Sequence, residues 1–376
     1  VAVIFGTRPE AIKLAPVIQA LNTQEQAFRY VVIATGQHTQ LVQPVIDLFG
    51  MRVAYNLGLM QPGQSPNTLT ARAMSALEPI LTQEKPDAVL VQGDTSSALA
   101  AALTAFHLRI PIGHIEAGLR SGDVSNPFPE EMNRKLITKL ASWHFAPTGA
   151  NRRQLLAEGV ADKAIFVTGN PVVDALLTIR RRVPPSERVQ AILRQAASRR
   201  ILVVTMHRRE NLGEVMAGCL SALRHFVQRH ADVELVFPMH PNPAVRCTAQ
   251  TVLGDTERVQ LVEPLDYPDF LALLSRAWLI ASDSGGVQEE APTLRKPLLI
   301  LRETTERPEA VQVGAARLVG TSPRRLRATL EAAYGDVSWP RHLRTIVNPF
   351  GRGNSAGRIV AALAKVLGVS LRKEAA

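Results

Sequence analysis

Val1-Ala2-Val3-Ile4-Phe5-Gly6-Thr7-Arg8-Pro9-Glu10-Ala11-Ile12-Lys13 opens the chain with five apolar residues, breaks on a glycine and passes into polar residues and a helical period. A short run that is apolar at every position reads as a strand buried on both faces of a parallel sheet. The same grammar recurs along the chain. Strands are expected at Val1–Phe5, Tyr30–Thr35, Ala88–Gln92, Ile110–Ile115, His144–Pro147 and Ile165–Thr168. A second series is expected at Ile201–Thr205, Glu234–Pro238, Val259–Val262, Trp278–Ser282, Pro297–Leu301 and Ala316–Val319. Amphipathic stretches such as Ala11–Asn22, Ser96–His107, Glu130–Ala141 and Pro268–Arg276 lie between them. Alternation of this kind predicts an α/β fold, and its length predicts two doubly wound units. Arg180–Arg200, with Pro184-Pro185 inside it, reads as an inter-domain segment.

Composition narrows the function classes. The chain has 376 residues, enough for about two domains, and 46% hydrophobic with 20% charged residues is an ordinary globular composition. No stretch approaches the roughly 18 uninterrupted apolar residues of a membrane span. The opening strand has no basic segment before it, so no secretory signal is expected. Two cysteines, Cys219 and Cys247, exclude a disulfide framework or a cysteine-built zinc site and point to a reducing cytoplasm. The net charge of +10 attracts polyanions in general, but it is scattered over sites such as Arg180-Arg181-Arg182, Arg199-Arg200 and Arg324-Arg325. Aromatic residues are 5%, too few for base-stacking platforms. The reading is a solvated basic surface, with neither nucleic acid nor membrane as partner.

Polar residues collect where strands end: Gly6-Thr7-Arg8-Pro9-Glu10, Gly93-Asp94-Thr95, Glu116-Ala117-Gly118-Leu119-Arg120, His207-Arg208-Arg209-Glu210-Asn211 and Asp283-Ser284-Gly285-Gly286. Open α/β sheets bind ligands beyond the carboxyl ends of their strands, so a cleft between two domains is expected, and its contents suggest an anion. Glycines at Gly285-Gly286 let a phosphate approach the free N–H groups of a helix start, and Glu290, one turn further, can meet a ribose diol. The bland alternative there is a tight turn with a serine cap. Pro9 suits a first helical position, Arg8 can meet phosphate bidentately, and Lys13 sits about one turn on. Arg307 offers another cation after a strand. No Walker sequence occurs: Gly113 to Gly118 has the glycine spacing but continues as Leu119-Arg120. Gly351-Arg352-Gly353 does not follow a first strand, which disfavours a nicotinamide cofactor.

Asp94, Glu116 and Glu130 are carboxylates at strand or helix ends. Asp94 can equally be a helix cap, and Glu130 and Glu131 a favourable first-turn pair. Glu116, carried directly out of a buried strand, is harder to explain structurally. Clustered carboxylates suit general acid–base chemistry. His207 and His240 each follow a strand, but no His-x-x-x-His spacing supports zinc, so no metal is expected.

These motifs resemble a known family. Phe5–Lys13, Thr35-Gly36-Gln37-His38, Gly93-Asp94-Thr95, His114-Ile115-Glu116-Ala117-Gly118-Leu119-Arg120, Pro127-Phe128-Pro129-Glu130-Glu131-Met132-Asn133-Arg134, His207–Asn211, Asp283–Glu290 and Thr305–Glu309 occur in order. From residue 1 to about Asn354 the chain resembles the bacterial non-hydrolysing UDP-N-acetylglucosamine 2-epimerases. The resemblance implies two Rossmann-like domains in a GT-B architecture: residues 1–168 carrying the carboxylates, residues 169–355 binding UDP, and a C-terminal helix over about 356–376 packing back on the first domain. It also implies reversible conversion of UDP-N-acetylglucosamine to UDP-N-acetylmannosamine, with no organic cofactor and no required metal, for cell-surface polysaccharide synthesis. The reaction would eliminate UDP to a 2-acetamidoglucal and add it back.

Carried over position by position, the resemblance assigns catalysis to Asp94, Glu116, Glu130 and His207. It assigns UDP binding to Arg8, Lys13, His240, Ser284, Gly285, Gly286, Glu290 and Arg307. A site for UDP-N-acetylglucosamine as allosteric activator falls on Gln37, Gln40, Gln64, Glu130, Arg208 and His240, with Gly63 where some members have an arginine. A homodimer is implied as well. The competing readings are a GT-B nucleotide-sugar glycosyltransferase, which needs an acceptor site in place of the carboxylates, and a hydrolysing 2-epimerase that releases UDP and N-acetylmannosamine.

Overall fold

The computed structural model describes residues 1–37, 39–61, 63–196 and 198–372, without the side chains of residues 39–41. His38, the Gln40 side chain and residues 373–376 at the end of the expected C-terminal helix lie outside the described residues. The chain divides into two compact units, Val1–Ala175 together with the residues from Phe350 onward, and Leu176–Pro349. Among the described residues no helix is long and apolar enough to cross a membrane.

Among its described residues the first unit holds seven strands: β1 (Ala2–Phe5), β2 (Val31–Ala34), β3 (Tyr55–Asn56), β4 (Val89–Gln92), β5 (Ile112–Ile115), β6 (Trp143–Ala146) and β7 (Ile165–Val167). They form one parallel sheet in the order β3-β2-β1-β4-β5-β6-β7. β1 is an interior strand, pairing Ala2 with Val31 on one side and with Val89 on the other. Every residue of β1, β4 and β5 is buried, which is why these strands read as continuous apolar runs rather than alternating ones.

The second unit holds β8 (Arg200–Thr205), β9 (Val233–Pro238), β10 (Val259–Val262), β11 (Leu279–Ser282), β12 (Leu298–Ile300) and β13 (Ala316–Leu318). Their order, β10-β9-β8-β11-β12-β13, repeats that of the first unit. Phe226 and Phe237 are wholly enclosed in its core with Leu202, Val204, Leu235 and Leu299. Each such side chain contributes about 1.5–3 kcal/mol relative to exposure. All twelve expected strands are present within two residues of their expected ends. The thirteenth, β3, is a two-residue edge strand with no apolar run to announce it.

Local chemistry sets the helix starts. Thr95, not Asp94, caps the helix Ser96–His107: its hydroxyl accepts the Ala98 N–H at 3.0 Å. Pro9 occupies the second position of the helix Arg8–Asn22, with Thr7 at its N-cap. The Arg180–Arg200 segment is mostly helical rather than an open linker. Arg180-Arg181-Arg182 end the helix Pro171–Arg182, and Ser186 caps the next, Glu187–Gln195. The returning chain forms the helix Ser355–Leu367, which packs on Arg8–Asn22 and ends at Gly368 in the left-handed conformation. The buried Asp174 carboxylate starts that helix by accepting the N–H groups of Ser355 and Ala356 at 3.1 and 3.0 Å.

Candidate active site

In each sheet the strand order reverses beside an interior strand, between β1 and β4 and between β8 and β11. At such a switch point the outgoing loops splay apart and leave a crevice beyond the carboxyl ends. The expected site residues stand largely at these two places or beside them.

In the first unit the loops leaving β1 and β4 are tied together by Glu10. Its buried carboxylate accepts the N–H groups of Gly6 and Thr7 at 3.0 and 2.7 Å and the hydroxyl of Thr95 at 2.7 Å. Burial raises the Glu10 pKa, against the lowering effect of these donors. Gly6 has no room for a side chain. The Thr35 and Ser97 hydroxyls bond each other at 2.9 Å, and a Cβ on Gly6 would lie 2.3 Å from Ser97 Oγ. Arg8, half-buried, begins the helix beyond this turn.

Lys13, one turn further along, buries its ammonium against Glu116, Nζ to Oε1 at 2.6 Å. Glu116 directly follows β5 with φ of 67°, a backbone conformation that costs a non-glycine residue about 1 kcal/mol or more. Its Oε2 accepts from Gln92 at the end of β4, and its Oε1 also accepts from Asn170 Nδ2 at 3.2 Å. These donors, one of them a cation, match an ionised carboxylate.

Asp94 is held from the helix Glu130–Leu140. Arg134 Nη2 lies 2.5 Å from its carboxylate, and Asn133 Nδ2 donates to its backbone carbonyl at 2.9 Å. Arg134 is itself steadied by the wholly buried Glu131 at 2.8 Å, which also accepts the Ser121 N–H. The two acids that open this helix therefore differ. Glu131 is a structural anchor, while Glu130 is half-buried and its carboxyl has no hydrogen-bond partner among the described residues.

Under this loop His114 meets the Gly93 carbonyl at 2.8 Å. A carbonyl only accepts, so the His114 proton sits on Nε2. Burial lowers the His114 pKa to about 4. His144, its partner across the ladder, falls to about 3, first through burial and then through His114. Of the expected activator residues, Gln37 accepts from Ser97 Oγ at 2.8 Å. Gln64 lies on a nearby loop, its Oε1 3.5 Å from Arg72 Nη1. Gly63 has open space around the position of a Cβ.

In the second unit the loops leaving β8 and β11 are joined by Asp283, which is fully buried. Its carboxylate accepts the His207 and Arg208 N–H groups at 3.0 Å each and Asn211 Nδ2 at 2.9 Å. The His207 ring, about a third exposed, places Nδ1 3.5 Å from the same carboxylate. His240 stacks on it with centroids 5.3 Å apart and rings 16° from parallel. Its Nδ1 accepts the Asn242 N–H at 3.2 Å.

The Gly285–Leu294 helix starts at Ser284, whose hydroxyl makes no capping hydrogen bond, so the serine cap is not what ends the turn. Glu290, one turn in, accepts the Tyr267 hydroxyl at 2.9 Å. Arg307 lies beneath the glycine turn, with Nε on Glu289 at 2.6 Å and Nη1 on Glu306 at 2.5 Å. A Cβ on Gly285 would come within 2.9 Å of Arg307 Nη1, so the close approach at this turn depends on glycine. No group of three or more His, Cys, Asp or Glu among the described residues is arranged to hold a metal ion.

Thus Arg8, Lys13, Asp94, Glu116 and Glu130 gather at one end of the first sheet, and His207, Arg208, His240, Ser284, Gly285, Gly286, Glu290 and Arg307 at the corresponding end of the second. Sequence reasoning missed Gln92, Asn133, Arg134, Asn170, Glu10 and Tyr267 as their partners. Asp283 stood inside a quoted motif without a role. Asn170 carried a weaker signal than the others, a polar residue three positions past β7, of which only Ile165 is buried.

A family model described as UDP-N-acetylglucosamine 2-epimerase matches residues 19–364. The chain is 46% identical to the UDP-N-acetylglucosamine 2-epimerase of Salmonella typhimurium, over 96% of this chain and 98% of the relative. A solved structure from Listeria monocytogenes superposes with a TM-score of 0.94 at 41% identity, covering 100% of this chain and 98% of its own. The UDP-GlcNAc 2-epimerase of Neisseria meningitidis, solved bound to UDP-GlcNAc, superposes with a TM-score of 0.90 at 39% identity, covering 97% and 99%.

Proposed function

Because the chain belongs to the UDP-N-acetylglucosamine 2-epimerase family, we propose that it interconverts UDP-N-acetylglucosamine and UDP-N-acetylmannosamine without net hydrolysis. The hydrogen on carbon 2 is not flanked by a ketone, so its direct removal as a proton is very difficult. Elimination avoids the problem. A carboxylate takes the proton, the C–H electron pair becomes the C1–C2 double bond, and the C1–O bond breaks with its pair leaving on the UDP phosphate oxygen. Re-addition returns a proton to the other face of carbon 2 while that oxygen reattacks carbon 1.

The observation that carries this reading is the end of the first sheet. Glu116 paired with Lys13 and Asp94 paired with Arg134 are charged acceptors, and Glu130, which opens the helix carrying Arg134, has no cation partner among the described residues. Proton transfer by such positioned groups contributes about 10²–10⁴-fold. The second unit supplies the nucleotide grip. Ser284, Gly285 and Gly286 offer a helix N-terminus to the pyrophosphate, Glu290 faces the ribose, and Arg307 underlies the turn. His207 and His240 add donors and charge at that end of the second sheet, and Arg8 and Lys13 add cationic charge at the end of the first.

Binding of UDP-N-acetylglucosamine as activator at Gln37, Gln40, Gln64, Glu130, Arg208 and His240 belongs to the same proposal, as do a cytoplasmic location and a role in cell-surface polysaccharide synthesis. A homodimer is supported by the exposed Phe106, Phe128, Met132 and Leu136 of the first unit, the last two one helical turn apart. The test is incubation with UDP-N-acetylglucosamine followed by phosphorus and proton NMR. UDP-N-acetylmannosamine is the expected product. Free UDP with N-acetylmannosamine would identify a hydrolysing enzyme, and unchanged substrate despite binding would favour a glycosyltransferase.

A further inference from the structure

Asn170 lies three residues past the end of β7 and is fully buried. Its polar groups have separate partners. Oδ1 accepts the Val172 N–H at 3.1 Å and so caps the helix Pro171–Arg182. Its backbone N–H donates to the Phe350 carbonyl at 2.8 Å, where the chain re-enters the first unit. Nδ2 donates to Glu116 Oε1 at 3.2 Å, the same oxygen that holds Lys13.

We propose that Asn170 is a positioning residue for the reaction, fixing the rotation of the Glu116 carboxylate. This rests on the assignment of Glu116 to proton transfer. An ammonium is a compact charge with rotatable donors and does not by itself define the plane of a carboxylate. A second donor from another direction on Oε1, with Gln92 on Oε2, does define it. The orientation of the Asn170 amide is itself determined, because Oδ1 must face the Val172 N–H, which leaves Nδ2 toward Glu116. Its backbone is held as well. A Cβ on the preceding Gly169 would lie 2.5 Å from Ser355 Oγ and 3.2 Å from the Phe350 carbonyl, so that segment packs directly on the returning chain. Such restraint is what a carboxylate leaving a strand at φ of 67° requires if it is to stay aimed.

Asn170→Asp tests this directly. Aspartate keeps the size, the Oδ1 cap and the backbone bond, and it caps helices as well as asparagine does. It replaces the donor facing Glu116 with a second carboxylate. Asn170→Ser keeps a capping oxygen and removes the donor without adding charge. For Asn170→Asp we expect kcat to fall at least about tenfold with KM within about threefold of wild type. For Asn170→Ser a loss of about three- to tenfold is expected. Both are measured beside Glu116→Gln. If Glu116→Gln is inactive while both Asn170 variants keep kcat within about twofold, the inference is overturned and the proposed function stands. A rise confined to KM also overturns it, because Asn170 would then serve binding. If Glu116→Gln keeps wild-type kcat, the role of Glu116 falls and this inference with it. Should Asn170→Asp fail to fold, Asn170→Ser decides by the same criteria.

Discussion

The two sheets share one strand order and use their switch points differently. Beyond the first sheet the side chains are paired charges, Lys13 with Glu116 and Arg134 with Asp94, and the backbone at Glu116 sits in the left-handed region. Beyond the second, one buried carboxylate, Asp283, gathers the N–H groups of His207 and Arg208, and the helix start is built from glycine. In the proposed reaction the first arrangement would move protons and the second would present backbone donors to the leaving phosphate. The same topology therefore serves either task, and the choice lies in which residues leave the strands.

This contrast can be broken by exchanging one group at a time. The largest effect is expected in the first unit. Asp94→Asn and Glu116→Gln each retain the circular-dichroism spectrum and lower kcat by about 10³-fold, in the range for loss of a general acid or base. Near-wild-type turnover in either variant removes that residue from the chemistry.

The next effect also belongs to the first unit, and it is one of stability. His114 and His144 are neutral in the fold, with pKa values lowered to about 4 and about 3. Protons enter the unfolded chain near pH 6.5 but enter the folded one only below those values. The contribution of these neutral histidines is therefore present above pH 6.5 and lost as the pH falls from there toward 4 and 3. Each accounts for about 1.4 kcal/mol per pH unit in that window. Denaturant titrations at pH 7, 6 and 5 check the slope, and a flat profile contradicts it.

Within the second unit, Asp283→Asn turns an amide nitrogen toward donors that now meet a carboxylate. We expect a stability loss of about 1–3 kcal/mol by denaturant titration, with a lower kcat through the displaced His207. The smallest effect is expected at the glycine turn. Gly285→Ala sets a methyl group within 2.9 Å of a guanidinium already pinned by Glu289 and Glu306. UDP affinity by calorimetry should fall about tenfold, about 1.4 kcal/mol, with little change in folding.

Much of the fold was legible because strands buried on both faces leave uninterrupted apolar runs, and because polar residues directly after them have few structural reasons to be there. Glu116 stands out on that ground alone. β3 was not legible, since Tyr55 and Asn56 form an edge strand without an apolar run. Asp94 could be read as a catalytic carboxylate or as a cap, because any short acid before a helix suits a cap; only the geometry gives the capping to Thr95 and pairs Asp94 with Arg134. The partners that tune the site were hidden for a different reason. Asn170 meets Glu116 across 54 residues of sequence, and no local pattern encodes such a contact. Arg307 read as a cation available to phosphate, yet the structure engages it with two buried carboxylates under the glycine turn.

The most direct test of the central claim is isotopic. The protein is incubated with UDP-N-acetylglucosamine in heavy water, and carbon 2 of the sugar nucleotides is followed by proton NMR. Elimination and re-addition predict deuterium at carbon 2 of UDP-N-acetylmannosamine and, as the reaction reverses, of recovered UDP-N-acetylglucosamine. UDP-N-acetylmannosamine that forms with protium retained at carbon 2 would contradict proton exchange with solvent through the carboxylates of the first unit.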